Sequence, residues 1–209
     1  MSTEAAATAI LANSLRLCKD AWLLFNNQRY VSATALAILA TEEFTKFMSL
    51  TGFHMLPRKD WRDHVQKQTG AAGFIMRVKY QHFLREVLIE RRLPDGQAIY
   101  SRLRRPAGDL ILEGEEEAVF KAVLDRSHDA IMTFMQANMG KHDVLKQNSL
   151  YVDVRDDLSV KHTPDEITEA TAKERLDFLK LMFDVVGPAL AGGPKDVPTL
   201  PPYTDPQPA

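Results

Sequence analysis

Two adjacent glutamates, Glu42 and Glu43, stand in a stretch otherwise rich in alanine and larger apolar residues, ATALAILATEEFTKFMSL at residues 33–50. Leu36, Ala40, Glu43, Phe47 and Leu50 follow the 4-3-4-3 spacing by which one helix packs on its neighbours. That stripe predicts an inward Glu43. A buried, unpaired carboxylate costs on the order of several kcal/mol. Glu43 therefore needs a polar partner such as Asn13, Ser14 or Arg16, or it lines a site. Glu42 and Lys46 lie four apart in the Glu-before-Lys order, which suits an exposed surface pair.

Three further constellations could do chemistry. In Asp63-His64-x-x-Lys67 the imidazole and the ammonium share a helix face, and such a pair can hold a phosphate or transfer a proton near neutral pH. The plainer reading is surface decoration. Arg77-Val-Lys-Tyr-Gln-His82 has a spacing used by some helical ribonucleases. Five residues turn a continuous helix through about 500°, however, so Arg77 and His82 point to different sides and form a weak pair. Lys146-Gln-Asn148-Ser-Leu-Tyr151-Val-Asp153 gathers a cation, an amide, a phenol and a carboxylate. Strand alternation places Tyr151 and Asp153 on one face. A structural corner with a packed tyrosine ring is the alternative.

The six histidines form no HExxH motif, and there is no CxxC, P-loop or GxGxxG. We therefore expect no metal and no cofactor. The single cysteine, Cys18, excludes an internal disulfide framework and falls on an apolar helix stripe, as a buried thiol does. A net charge of -2 argues against a global polycation, though a local basic patch is compatible with it. No run of about 18 uncharged apolar residues is present, and the opening MSTEAAATAI lacks a basic segment before its apolar residues. The expectation is a cytoplasmic protein that contacts no membrane.

Helical periodicity must position these residues. Leu11, Leu15, Cys18, Trp22 and Phe25 predict a first helix over about residues 3–25, and Asn26-Asn27-Gln28 breaks it. A second helix over 31–51 makes an antiparallel hairpin with the first. A third is expected from Asp60, as cap, to about residue 92, with interruptions at Gly70 and Gly73. Residues 97–114, which include Arg102, Arg104 and Arg105, read as a loop with a little helix rather than a core element. Glu115-Glu116-Glu117 opens a fourth helix, where acidic residues suit the helix dipole, and it extends to about residue 139. Residues 149–154 and 158–161 read as a small β-hairpin. A last helix is expected from Thr163 as cap, with Pro164 first and Glu166 third, to a stop at Gly187-Pro188. The fold class is all-α, a four- or five-helix bundle with one hairpin after the fourth helix. One domain spans residues 1–190, followed by a Pro-rich flexible tail at 191–209.

The order and spacing of NSLRLCKDAWLLFNNQRYVSATALAILATEEFTKF, DWRDHVQK and KQNSLYVD resemble the AbiV family of abortive-infection proteins, within the HEPN superfamily of helical domains. The resemblance implies a HEPN-like bundle, a homodimer with its cleft at the dimer interface, and anti-phage activity as a toxin. It also implies a block of translation or RNA cleavage without a metal, by attack of the ribose 2′-OH on the adjacent phosphate. Possible partners are a phage-encoded activator or a cognate antitoxin. Active HEPN nucleases carry R-x4-6-H near the fourth helix. Here Lys146-x4-Tyr151 stands in that place, and an unperturbed phenol is a poor base at neutral pH. In this reading His64, Glu43, Lys146 and Tyr151 form the catalytic group, with His64 as the best proton-transfer candidate. Lys46, Lys67, Asn148, Asp153 and Glu42 contact substrate, and Arg77 with His82 is the weaker alternative. A non-catalytic module that binds a phage protein, nucleotide or RNA is the rival reading.

Overall fold

The computed structural model describes residues 3–52, 61–92, 99, 114–151, 153–154 and 160–190. Among these are six α-helices: α1 (Thr3–Asn26), α2 (Tyr30–Leu50), α3 (His64–Arg91), α4 (Glu115–Asn138), α5 (Lys141–Leu150) and α6 (Glu169–Leu190). The protein is all-α in character, as the periodicity predicts. Between α5 and α6 a minimal antiparallel ladder pairs Asp153 with His162 and Val154 with Val160, followed by a 3-10 turn at Pro164–Glu166. No helix among the described residues is long and apolar enough to cross a membrane.

The chain divides into two compact units, residues 1–71 with 137–209, and residues 72–136. In the first unit α2 packs on α1, α5 and α6, and its composition follows from that crowding. Ala33, Ala35, Ala37 and Ala40 are buried around the helix and let its neighbours approach closely. Buried Thr34, Thr41 and Thr45 satisfy their hydroxyls on carbonyls one turn back, each at 2.9 Å. The rings of Phe44 and Phe183 pack with centroids 4.4 Å apart, joining α2 to α6. The α1–α2 connection turns through Gln28, whose φ of 58° is left-handed. There Arg29 N–H donates to the Leu24 carbonyl at 2.9 Å, closing the expected hairpin. Ser14 on α1 donates to the Ala40 carbonyl at 2.8 Å. Cys18 is buried, and burial pushes its thiol up to about 11.

In the second unit Leu84 and Val87 of α3 pack with Ile99 and with Val119 and Val123 of α4. Arg126 pairs with Glu90 at 2.6 Å, and Arg91 pairs with Glu115 at 2.6 Å. At Gly73 an added Cβ would lie 3.1 Å from Cε2 of Phe134. The missing side chain thus explains this glycine better than a helix break does.

Several element boundaries differ from expectation. α3 runs through Gly70 and Gly73 without interruption, because packing offsets the roughly 1 kcal/mol propensity cost of each glycine. Its cap is Asp63, whose Oδ1 accepts from Gln66 N–H at 3.1 Å; Asp60 lies outside the described residues. After α4 the chain turns at Gly140, φ 73°, into a separate helix, α5, that the periodicity did not separate. α5 claims Ser149 and Leu150, so the predicted strand begins too early. Its buried positions are His142, Lys146 and Ser149, a polar set that hides the usual apolar signal. The Thr163 box caps the 3-10 turn, with Thr163 N–H donating to Glu166 Oε1 at 3.2 Å. α6 is capped instead by Thr168, whose hydroxyl accepts from Thr171 N–H at 3.3 Å. α6 also reaches Leu190, so Gly187-Pro188 falls in its last turn. The Arg102–Arg105 segment and the tail lie outside the described residues.

Candidate functional site

The inward glutamate is Glu42, and the prediction for Glu43 is corrected. Glu42 is 1% exposed, whereas Glu43 lies on the outer side of α2 in an ion pair with Lys46. A single apolar stripe is diagnostic only for a helix with one buried face. α2 has neighbours on several sides, and Ser32, Leu36, Leu39, Glu43, Lys46 and Leu50, none of them fully buried, themselves follow a 4-3-4-3 spacing. The predicted stripe mixes the two sides: Ala40 and Phe47 are buried, whereas Leu36, Glu43 and Leu50 are not. Asn13 and Arg16 bond to each other at 3.0 Å, and Ser14 is used by Ala40, so none of the three expected partners meets Glu43.

Four side chains from two other helices converge on the Glu42 carboxylate. The first turns of α3 bring His64, Lys67 and Gln68, which share a face at i, i+3 and i+4. His64 Nδ1 lies 2.5 Å from Oε2, Lys67 Nζ lies 2.8 Å from Oε2, and Gln68 Nε2 donates to Oε1 at 2.8 Å. α5 brings Lys146, whose Nζ donates to Oε1 at 3.0 Å and lies 2.9 Å from Asp143 Oδ1. The Lys67 and Lys146 side chains are 4% and 3% exposed, while that of His64 is 44% exposed. Buried Glu42 and partly exposed Asp143 together balance the charges of the two buried ammonium groups. Burial alone would raise the Glu42 carboxyl. Hydrogen bonds from Lys67, Gln68 and His64, with the Lys67 charge, more than offset that and hold it below the usual carboxylate range.

One ligand atom each from Glu42, His64 and Asp143 falls within 4.8 Å of the others, a spacing that could invite a cation. The chemistry of the set opposes one. Both Glu42 oxygens already accept from cationic lysines, and those fixed charges repel a divalent ion.

Beside this cluster, His142 of α5 and Arg175 of α6 are each 6% exposed. Burial, and then the Arg175 charge, push the His142 imidazole down from 6.5 to about 3. His142 Nε2 and Arg175 Nε have no partner among the described residues.

The remaining expected residues lie elsewhere. Asn148 is half-buried on α5, and Tyr151 is exposed just past it, with its N–H donating to the Gln147 carbonyl at 2.9 Å. Asp153 enters the short ladder by its backbone. Arg77 is exposed, and exposed His82 pairs with Glu86 at 3.1 Å; both belong to the second unit. Lys67, expected to contact substrate, and Lys146, expected in the catalytic group, turn their ammonium groups to Glu42. Sequence reasoning missed Gln68, Asp143 and the role of Glu42. The available signals were the i, i+4 spacing of Gln68 from His64, the D-x-x-K of α5, and alanines on every side of α2.

The first unit is thus helical, with a central helix, α2, that carries a buried, lysine-compensated glutamate. The family model for AbiV, a HEPN group, matches residues 3–182, and the chain belongs to that family. No curated protein and no solved structure gives a match.

Proposed function

We propose that this AbiV-family chain is an abortive-infection toxin of bacterial anti-phage defence that cleaves RNA as a homodimer, without a metal. The observation that carries the reading is the half-exposed His64 ring, anchored through Nδ1 to buried Glu42 at 2.5 Å. An imidazole held in one orientation and open on its other side is suited to proton transfer at a ribose 2′-OH. Lys67, Lys146 and Gln68 support that anchor from below. In this reaction the 2′-oxygen bonds to phosphorus, the P–O5′ bond breaks, and a 2′,3′-cyclic phosphate and a 5′-OH result.

Incubation of the purified protein with total RNA in EDTA tests the reading. Cleavage by wild type, lost in His64→Ala and strongly reduced in Lys146→Ala, is the expected result. Intact RNA at high protein concentration would sink it.

A second reading, a non-catalytic HEPN module that binds a phage protein, nucleotide or RNA, draws on two observations. The cations at hand, Lys67 and Lys146, are buried and engaged, and Lys146-x4-Tyr151 replaces R-x4-6-H. RNA retention without cleavage, together with phage resistance that survives His64→Ala, would favour it.

A further inference from the structure

The His64 ring lies between two unlike surroundings. Nδ1 faces Glu42 Oε2 at 2.5 Å, while 44% of the side chain is open. Nε2 has no hydrogen-bond partner among the described residues. A contact of 2.5 Å between a ring nitrogen and a carboxylate oxygen requires one proton between them. The other groups around Glu42 decide which atom owns it. Lys67 Nζ at 2.8 Å, Lys146 Nζ at 3.0 Å and Gln68 Nε2 at 2.8 Å all donate to the carboxylate. Two cations and an amide keep Glu42 ionised, and an ionised carboxylate only accepts. The proton therefore belongs to Nδ1.

The competing arrangement has Lys67 donating to a bare Nδ1, and the distances reject it. Lys67 Nζ is 3.4 Å from Nδ1 but 2.8 Å from Glu42 Oε2. A bare Nδ1 would also set its lone pair against Oε2 at 2.5 Å. With Nδ1–H committed, the neutral ring carries its lone pair on Nε2. That tautomer is the reverse of the one an unconstrained histidine side chain favours in water.

We propose that Glu42 is a positioning residue that fixes His64 as its Nδ1–H tautomer, so that Nε2 is the atom that takes the 2′-hydroxyl proton of RNA. Lys67 and Lys146 act at one remove, by keeping Glu42 ionised, and do not touch phosphate. The proposal rests on the nuclease reading above. In the step it describes, the 2′-O–H bond breaks as the Nε2–H bond forms. The freed oxygen pair bonds to the adjacent phosphorus, and the P–O5′ pair leaves on O5′. O5′ then takes a proton from water or from the imidazolium. No oxidant or reductant is involved.

Long-range proton–nitrogen NMR correlation of the imidazole rings in 15N-labelled protein tests the assignment, with the His64 signals identified by their loss in His64→Gln. The expected spectrum of the neutral ring has a pyrrole-type Nδ1 and a pyridine-type Nε2; the opposite pattern overturns the proposal. Glu42→Gln should move the tautomer balance toward Nε2–H. It should also lower kcat for RNA cleavage by about 10²-fold or more with KM nearly unchanged. A purely structural Glu42 would move neither the tautomer nor kcat alone. The wild-type spectrum decides the matter even if Glu42→Gln does not fold. Cleavage with the Nε2–H tautomer overturns the proposal and leaves the nuclease reading standing. No cleavage by wild type overturns both, whichever tautomer the ring shows.

Discussion

In the unit built around α2, Glu42 is 1% exposed and takes hydrogen bonds from two lysines and a glutamine. In the unit of residues 72–136 glutamates again meet cationic and imidazole side chains, but at the surface. Arg126 bridges Glu86 and Glu90, and His82 leans on Glu86. The surface set shares its charges with water and is screened by salt. The buried set cannot, so each of its members depends on the others being present. Similar chemical inventories thus give an adjustable surface lattice in one unit and a fixed polar core in the other. The fixed core holds the Nδ1 side of the His64 ring.

The contrast is broken most directly by emptying the buried position. Glu42→Ala strands Lys67 and Lys146 in a desolvated pocket and should cost about 3–5 kcal/mol, read as a fall in the urea midpoint. Glu90→Ala should leave that midpoint essentially where it was. A result of similar size for the two would erase the distinction between the units.

Acid should expose the next largest effect. The His142 imidazole lies at about 3 in the folded chain against an ordinary 6.5. Between those values the unfolded chain binds the extra proton, so stability falls as pH drops from about 6.5 towards 3. The loss is on the order of a few kcal/mol. His142→Phe should flatten this part of the stability–pH curve. A curve unchanged by the substitution would show that His142 gains its proton without opening the fold.

Glu42 adds its own limb below the ordinary carboxylate range. Its folded pKa is lowered, first against the opposing effect of burial and then through Lys67, Gln68 and His64. That stability is present above the unfolded carboxyl value and is lost as pH falls through the folded one. Acid titration of Glu42→Gln should therefore lack this limb if the variant folds.

The smallest effect sharpens the comparison most, because it concerns the adjacent residue. Glu43→Ala removes an i, i+3 pair with Lys46 on the outer side of α2. It should cost about 0.5 kcal/mol or less by denaturant titration. A loss as large as that for Glu42→Ala would restore Glu43 as the inward glutamate.

Much of this protein was legible in its residues. The apolar repeats of α1, α2 and α4, the acidic opening Glu115-Glu116-Glu117 and the break at Asn26-Asn27-Gln28 are local signals, and local hydrogen bonding obeys them. So is the shared face of His64 and Lys67, since helix geometry alone places them three residues apart on one side. α5 was not legible as a separate helix, because its inward positions are His142, Lys146 and Ser149. A polar inner face carries no hydrophobic period.

By itself the sequence determined that the chain is helical, that it belongs with AbiV proteins, and that two glutamates, two lysines and a histidine lie on helices able to meet. It could not determine which glutamate turns inward. Glu42 and Glu43 are about 100° apart on one helix, and that choice depends on how many neighbours surround α2. Only the packing of α1, α5 and α6 on α2 decides this. It leaves the stripe through Leu36, Leu39 and Glu43 outermost and buries Glu42. The site follows from the same cause: burial is a property of all the surrounding helices, whereas periodicity is a property of one.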